Sequence, residues 1–323
     1  MIVFITTPGH TATVAPLFDG RFDQKLPRVG VATYDQLFRA RRLPAATYIF
    51  SDIERLYPWE LRLASELYRA FGEAGLTRLN NPAIVKSRYE LLRALYAAKY
   101  NPFNAYRADD LPRPERFPVI LRREADHRPP SDQLIGSQTE LDDRLNQARQ
   151  DGTPLRGWLL IEFCAQPIAP GMWHQFGTFR IGDAMHVDHG VVEDSWCVKF
   201  GTAGLATEEI FAETRQSMIT NEFADAVRPA FEIGAIEYGR ADHATVDGRQ
   251  VVYEINTNPT IREPKPLRRS RVYWEALAFS RARLAKLLWQ IDSGSGKKIT
   301  FPRGNRLEQY RRQNFWTRSP IRP

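Results

Sequence analysis

The stretch GRADHATVDGRQVVYEINTNPTI, residues 239–261, constrains the fold more than any other part of the chain. Two runs rich in strand formers flank Asp247-Gly248, a strong short-range signal for a β-hairpin. A turn accounts for Asn258 and Pro259 at the end of the second run. It does not account for Glu254 and Asn256, whose spacing of two puts both side chains on one face of a strand. Whether Asp242 joins them is a matter of parity. A regular two-residue turn pairs Val246 with Arg249 and sends Asp242 and Glu254 to opposite faces, whereas an odd loop or a bulge brings Asp242, Glu254 and Asn256 together. The second arrangement gathers three oxygen-bearing side chains, with Glu254 and Asn256 about 7 Å apart along the strand. Such a set suits Mg²⁺, which keeps water and phosphate oxygens as its remaining ligands. On spacing alone the plainer reading, a solvated polar strand end followed by a turn, stays open.

The flanking sequence supplies an α/β frame for that hairpin. MIVFITT and TYIFSDIERL read as strands, and PWELRLASELYRAFGEAG carries apolar residues at helical spacing before a terminal glycine, so a small parallel sheet is expected in the first 80 residues. A second unit, 81–160, opens with the helix of AIVKSRYELLRALYAAKY and the strand FPVILRR, continues through the polar loop EADHRPPSDQLIGSQ, and includes the helix LDDRLNQARQ. From 161 to 292 the texture becomes antiparallel, with GWLLIEF and HQFGTFRIGDAMHVDHGVV as strands. Helices follow in TEEIFAETRQSMI, NEFADAVRPAFEI and EALAFSRARLAKLLWQI. SGSGKK interrupts the pattern, and 293–323 reads as an extended basic tail.

With 323 residues and 43% apolar content the chain can bury several cores. No apolar run approaches a membrane span, and the start reads as a strand, not a signal peptide. Cys164 and Cys197 have no metal spacing and fit a reducing cytoplasm. The formal charge of +7 is lopsided, since residues 262–323 hold sixteen basic residues against four acidic ones. No groove-reading motif accompanies this charge, so nucleic acid is not an expected partner. His174, His186 and His189 read as hydrogen-bonded surface histidines, and Trp173, Trp196 and Phe200 as packing residues or pocket walls.

The arrangement Arg-x-Asp, hairpin, Glu-Ile-Asn-x-Asn-Pro in 240–259 closely resembles the metal-binding hairpin of the ATP-grasp superfamily, as in D-alanine–D-alanine ligases and glutathione-synthase-like enzymes. The resemblance implies an ATP-grasp fold preceded by an α/β domain, with a largely antiparallel catalytic sheet. It carries Asp242, Glu254 and Asn256 over as Mg²⁺ ligands, with Mn²⁺ as a substitute, and Arg240 and Asn258 as phosphate or substrate contacts. Upstream, Lys86 stands where the family places a phosphate-binding lysine. FPVILRR is similar to a family strand that ends in lysine, and here Arg122 takes that place. WLLIEFCAQ resembles the strand and hinge that hold adenine, which implicates Glu162, Phe163 and Cys164. Arg180 and Lys199 sit where they could face the transferred phosphoryl group. The loop after Arg122 lacks the glycines with which many members cradle phosphate.

The implied activity is an ATP-dependent carboxylate–amine ligase acting through an acyl phosphate on a small-molecule or peptide carboxylate and an amine, with a homodimer compatible. Two alternatives remain open in the sequence: a small-molecule kinase with an alcohol acceptor, and a non-catalytic nucleotide-binding protein that engages an acidic partner through its basic end.

Overall fold

The structure is a computed structural model that describes residues 1–126, 133–261 and 270–314. Its first unit contains β1 (Ile2–Thr6), β2 (Val29–Thr33), α1 (Tyr34–Arg39), β3 (Arg42–Pro44), β4 (Thr47–Phe50), α2 (Pro58–Glu73) and β5 (Arg78–Leu79). The sheet order is β2-β1-β4-β5, and all three pairings are parallel, as the alternating pattern predicts. Every residue of β1 and β4 is buried, which is why these runs are continuously apolar instead of alternating. A capping box of Thr33 and Gln36 starts α1, and α2 turns Leu63, Leu67, Ala70 and Phe71 into the core.

The second unit comprises α3 (Arg88–Ala97), β6 (Ala105–Arg107), β7 (Val119–Arg123), α4 (Gln138–Gln150) and β8 (Trp158–Glu162). Its sheet is antiparallel in the order β6-β8-β7. Ser87, which follows Lys86 without forming any phosphate loop, caps α3 with Glu90. Along β8 the side chains alternate: Leu160 joins Val119 and Leu141 in one core, while Leu159 and Ile161 pack with α3 in another. The polar loop expected after Arg123 lies partly outside the described residues.

The third unit is built from β9 (Pro167–Ala169), β10 (Met172–Ile181), β11 (Ala184–Glu193), α5 (Glu208–Thr220), α6 (Ala224–Gly234), β12 (Tyr238–Val246), β13 (Arg249–Asn256) and α7 (Arg271–Ile291). The large sheet runs β11-β10-β12-β13, antiparallel throughout, with β9 paired to β10. Asn80, held at φ 64°, joins this sheet to the first: its amide nitrogen donates to the carbonyls of Phe50 and Tyr238, and its oxygen accepts from the Glu237 and Tyr238 amides.

The sequence-based expectation of an extended tail past 292 is corrected over the described part. β14 (Lys298–Thr300) pairs antiparallel with β3, and α8 (Asn305–Gln313) packs on α1 and α2. Apolar anchors explain this. Leu307 is 0% exposed, and Phe301 meets the Phe71 ring edge-on at 5.5 Å. The Arg303 guanidinium donates to the Phe38 and Ala40 carbonyls at the end of α1, and to the Leu307 carbonyl in the first turn of α8. Residues 262–269 and 315–323, which contribute much of the basic end, lie outside the described residues. No helix among the described residues is long and apolar enough to cross a membrane.

Candidate functional site

The parity question is answered by two local features acting together. Val246 pairs with Arg249, so the hairpin turn is the regular two-residue kind, with Asp247 at φ 48° and Gly248 at φ 73°. Left uncorrected, that register would separate Asp242 from Glu254. Between the pairs His243–Val252 and Asp242–Glu254, however, β13 carries one extra residue, Tyr253. This β-bulge shifts the register by one, and Asp242 faces Glu254 directly while Arg240 faces Asn256. The bulged Tyr253 stacks on Phe103 with ring centroids 6.0 Å apart, which gives the extra residue a packing partner.

The pairing extends across the sheet. Asp242 opposes Gly177, which opposes His189, and Arg240 opposes Phe179, which opposes His186, so these residues share one face. Gly177 is required here: a Cβ on it would lie 2.4 Å from His189 Cε1. A second bulge places Asp188 between the two rows. Its carboxylate accepts from Ser280 Oγ of α7 at 2.6 Å, holds His189 Nδ1 at 2.6 Å, and stands 4.0 Å from Arg240. Burial opposes ionisation of Asp188, yet the bond and charge of His189, with His186 and Arg240, hold its carboxyl well below the usual range.

Asp242 and Glu254 are both buried and surrounded by cations. Arg88 bonds Glu254 Oε2, Arg122 lies 3.4 Å from the same oxygen, and Lys199 Nζ is 3.0 Å from Oε1 and 3.7 Å from Asp242. Arg240 is 3.6 Å from Asp242. Two carboxylates thus meet four cations, and the cluster is net positive. Burial raises the Asp242 pKa, and the neighbouring Glu254 adds to this against the pull of Arg240 and Lys199. Burial works to lower Lys199, but Glu254 and Asp242 outweigh it and hold the ammonium above its usual value. Arg122 is lowered, chiefly by burial, with Glu254 opposing.

Crowded carboxylates of this kind fit a hard dication. The Asn256 amide oxygen, which accepts from the Asn258 amide at 2.8 Å, stands two register pairs further along, on the same face. Among the described residues no group of three or more His, Cys, Asp or Glu side chains could by itself hold a metal ion. Asp242, Glu254 and Asn256 could offer a cation two carboxylates and an amide, a set that Mg²⁺ would complete with other oxygens.

A cleft opens from this cluster, walled by Phe163, Cys164, Trp196, Arg122, Lys199 and Tyr253. Phe163 meets Trp196 edge-on at 5.4 Å. The structure thus brings Arg122, Phe163, Cys164, Lys199, Asp242 and Glu254 into one cleft.

Other sequence-selected residues are placed differently. Arg180 pairs with Gly239, not with Arg240, so alternation puts it on the opposite face of the sheet, where its Nε donates to the Gly182 carbonyl at 2.9 Å. The expectation that it faces a transferred phosphoryl group is thereby corrected. Glu162 has its backbone at the cleft, but its carboxylate, 1% exposed, accepts from the Asn104, Glu115 and Arg116 amides, the Tyr106 hydroxyl and the Arg116 guanidinium. Alternation along β8 turns it away from Ile161 and the cleft, so it braces the sheet. Asn258 is also committed: its oxygen accepts from Thr13 Oγ1 at 2.7 Å and its nitrogen donates to the His10 carbonyl, tying the loop after β1 to the end of β13. Lys86 lines a separate groove with Ile84, Arg93, Arg107 and Glu124. Of the three histidines expected at the surface, His186 is instead 0% exposed, while His174 and His189 are half-buried; burial lowers His174, His186 and also His243 to pKa values of about 4.

Arg88 and Asp188 were not selected from sequence. Arg88 carries a readable signal, because a cation at the first residue of a helix opposes the helix dipole and needs an anion elsewhere. Asp188 does so less clearly, as an acid between Val187 and His189 in an otherwise apolar run.

No family model matches the chain, and no curated protein matches it in sequence. Solved structures do. The ATP-grasp ligase PsnB complexed with a minimal precursor is 14% identical at a TM-score of 0.52, with 90% of this chain and 98% of that one covered. The D-alanine–D-alanine ligase from Bacillus anthracis complexed with ATP is 11% identical at a TM-score of 0.49, covering 90% and 96%. An ATP-grasp RimK domain protein from Sphaerobacter thermophilus is 11% identical at 0.46, covering 90% and 100%. The likeness to PsnB is one of fold: the chain has the ATP-grasp architecture, a parallel α/β unit followed by a small and a large antiparallel sheet.

Proposed function

We propose that this chain is an ATP-dependent carboxylate–amine ligase that acts through an acyl phosphate, with ATP bound in the cleft between the β6-β8-β7 sheet and the large sheet. The observation that carries this reading is the register-paired, buried Asp242 and Glu254, set among four cations beside the cleft that Phe163, Trp196 and Tyr253 line. In support, PsnB, whose fold the chain shares, has been solved with a minimal precursor, Mg and ADP.

In this reading Asp242, Glu254 and Asn256 would hold Mg²⁺ or Mn²⁺, which would supply charge neutralisation at the phosphates. Phe163 and Cys164 wall the base pocket. Arg122 and Lys199 bind phosphate oxygens through charge-assisted bonds. Arg240, steadied by Asp242 and Asp188, offsets the charge that develops on the transferred group. A carboxylate oxygen attacks the γ-phosphorus as its bond to ADP breaks. An amine then attacks the acyl carbon, the carbon–oxygen bond to phosphate breaks, and the departing phosphate takes up the proton that the amine loses. The buried cations supply positioning and charge, and no protein nucleophile is required.

Two measurements test this together. Calorimetry should show ADP binding that depends on Mg²⁺ and is lost in Lys199→Ala. Incubation with ATP and pooled amino acids and peptides should release ADP and phosphate with a new amide detectable by mass spectrometry. A phosphorylated alcohol instead of an amide would shift the reading to a kinase, and absent ADP binding would end it.

A further inference from the structure

Arg88 makes contacts that a simple structural arginine does not need. One of its terminal nitrogens donates to three backbone carbonyls, those of Arg123, Glu124 and Asp126, and the other bonds Glu254 Oε2. Both side chains of the Arg88–Glu254 pair are only 6% exposed. Arg122 reaches the same two places, 3.4 Å from Glu254 Oε2 and 3.0 Å from the Asp126 carbonyl. The two guanidiniums therefore join the segment 123–126 at the end of β7 to the carboxylate that faces Asp242.

Glu254 also has Lys199 on its other oxygen at 3.0 Å. A divalent cation cannot take a Glu254 oxygen without either displacing a neighbouring cation or sitting beside it. In a buried setting such like-charge contact is poorly screened. The Arg88 and Arg122 Nε–H groups are buried and have no hydrogen-bond partner among the described residues. The pair thus keeps unused donors that suit the several oxygens of a phosphate better than one shared carboxylate oxygen.

We propose that Arg88 occupies the metal's place on Glu254 when nucleotide is absent, and that binding of a metal–nucleoside diphosphate or triphosphate transfers its guanidinium from Glu254 to a phosphate oxygen. This rests on the assignment of Asp242 and Glu254 as the metal site. Arg88 is then both a nucleotide-binding residue and the link that makes metal and nucleotide bind together: the metal alone must compete with Arg88, whereas the metal–nucleotide complex supplies Arg88 with a new partner.

The test is Mn²⁺ affinity without nucleotide, read from the electron paramagnetic resonance signal of free Mn²⁺, beside Mg·ADP affinity by calorimetry. Arg88→Gln should bind Mn²⁺ alone roughly tenfold or more tightly than the parent, because a buried like charge is removed, while its Mg·ADP affinity falls. Arg88→Lys, which keeps the charge but cannot span the carbonyls and Glu254 with one ammonium, should shift both affinities the same way by less, and is read if the glutamine variant does not fold. Unchanged or weaker Mn²⁺ affinity in the folded variants, with normal Mg·ADP binding by the parent, overturns the exchange and leaves the ligase reading standing. Absence of both Mn²⁺ and Mg·ADP binding in the parent overturns both.

Discussion

Glu254→Gln keeps the side chain's volume and removes its charge, so its effect isolates what that carboxylate does in the resting protein. Three cations lean on it: Arg88, Arg122 and Lys199. Asp242 can take up part of the load from Lys199, at 3.7 Å, and no longer has Glu254 raising its pKa. Arg88 would lose its carboxylate partner, and Arg122, already disfavoured as a cation by burial and by Arg88, would lose the largest of its favourable charges. Removing one partner of a buried pair costs about 3–5 kcal/mol, because the other charge stays buried without compensation. At about 2 °C per kcal/mol for a chain of this size, the melting temperature should fall by roughly 6–10 °C. The same uncompensated cations make a better anion site. Pyrophosphate at about 100 times its Kd adds roughly 2.7 kcal/mol, so it should recover much of the loss in the variant and stabilise the parent less at equal concentration. Differential scanning fluorimetry with and without pyrophosphate, checked by near-ultraviolet circular dichroism, reads both effects. A variant that melts within a degree of the parent would refute the charge argument, as would a large loss that pyrophosphate relieves no better than in the parent.

Acid should destabilise the fold through His174, His186 and His243, whose folded pKa values near 4 lie below the ordinary value of 6.5. The unfolded chain takes up their protons first, so stability present above pH 6.5 is lost as pH falls towards 4, at about 1.4 kcal/mol per pH unit for each histidine; urea titrations that show no slope between pH 6 and 5 would contradict it. Lys199→Ala should abolish Mg·ADP binding while Arg180→Ala leaves it within about twofold, because the two residues lie on different faces of the sheet; equal losses in calorimetry would contradict the face assignment. Leu307→Ala should cost about 2–5 kcal/mol by opening a cavity between α8 and the first unit, and chemical denaturation showing no loss would mean that α8 does not pack there.

How far the sequence reveals this protein depends on which interactions are local. The parallel strands, α2, α3 and the antiparallel hairpins follow from periodicity and turn residues, and the structure has them. Pairing of Asp242 with Glu254 is half legible. The Asp247-Gly248 signal implies a two-residue turn, and the site needs one residue more, so a bulge is required somewhere along β13. Nothing in VVYEIN says where. It falls at Tyr253, which stacks on Phe103, 150 residues away, a packing contact that no local pattern encodes. Arg180 fails for the same reason seen from the other side: a strand arginine in a basic setting looks like a phosphate ligand until register fixes its face. Glu162 and Asn258 have site-like chemistry in the sequence, but their polar atoms are taken by distant partners, the 115–116 amides for one and Thr13 and His10 for the other. Arg88 reverses the pattern, since its chemistry is visible and its partner is 166 residues away. Residue type therefore selects the pool of possible ligands, and long-range register and hydrogen-bond commitments decide which of them remain available for nucleotide and metal.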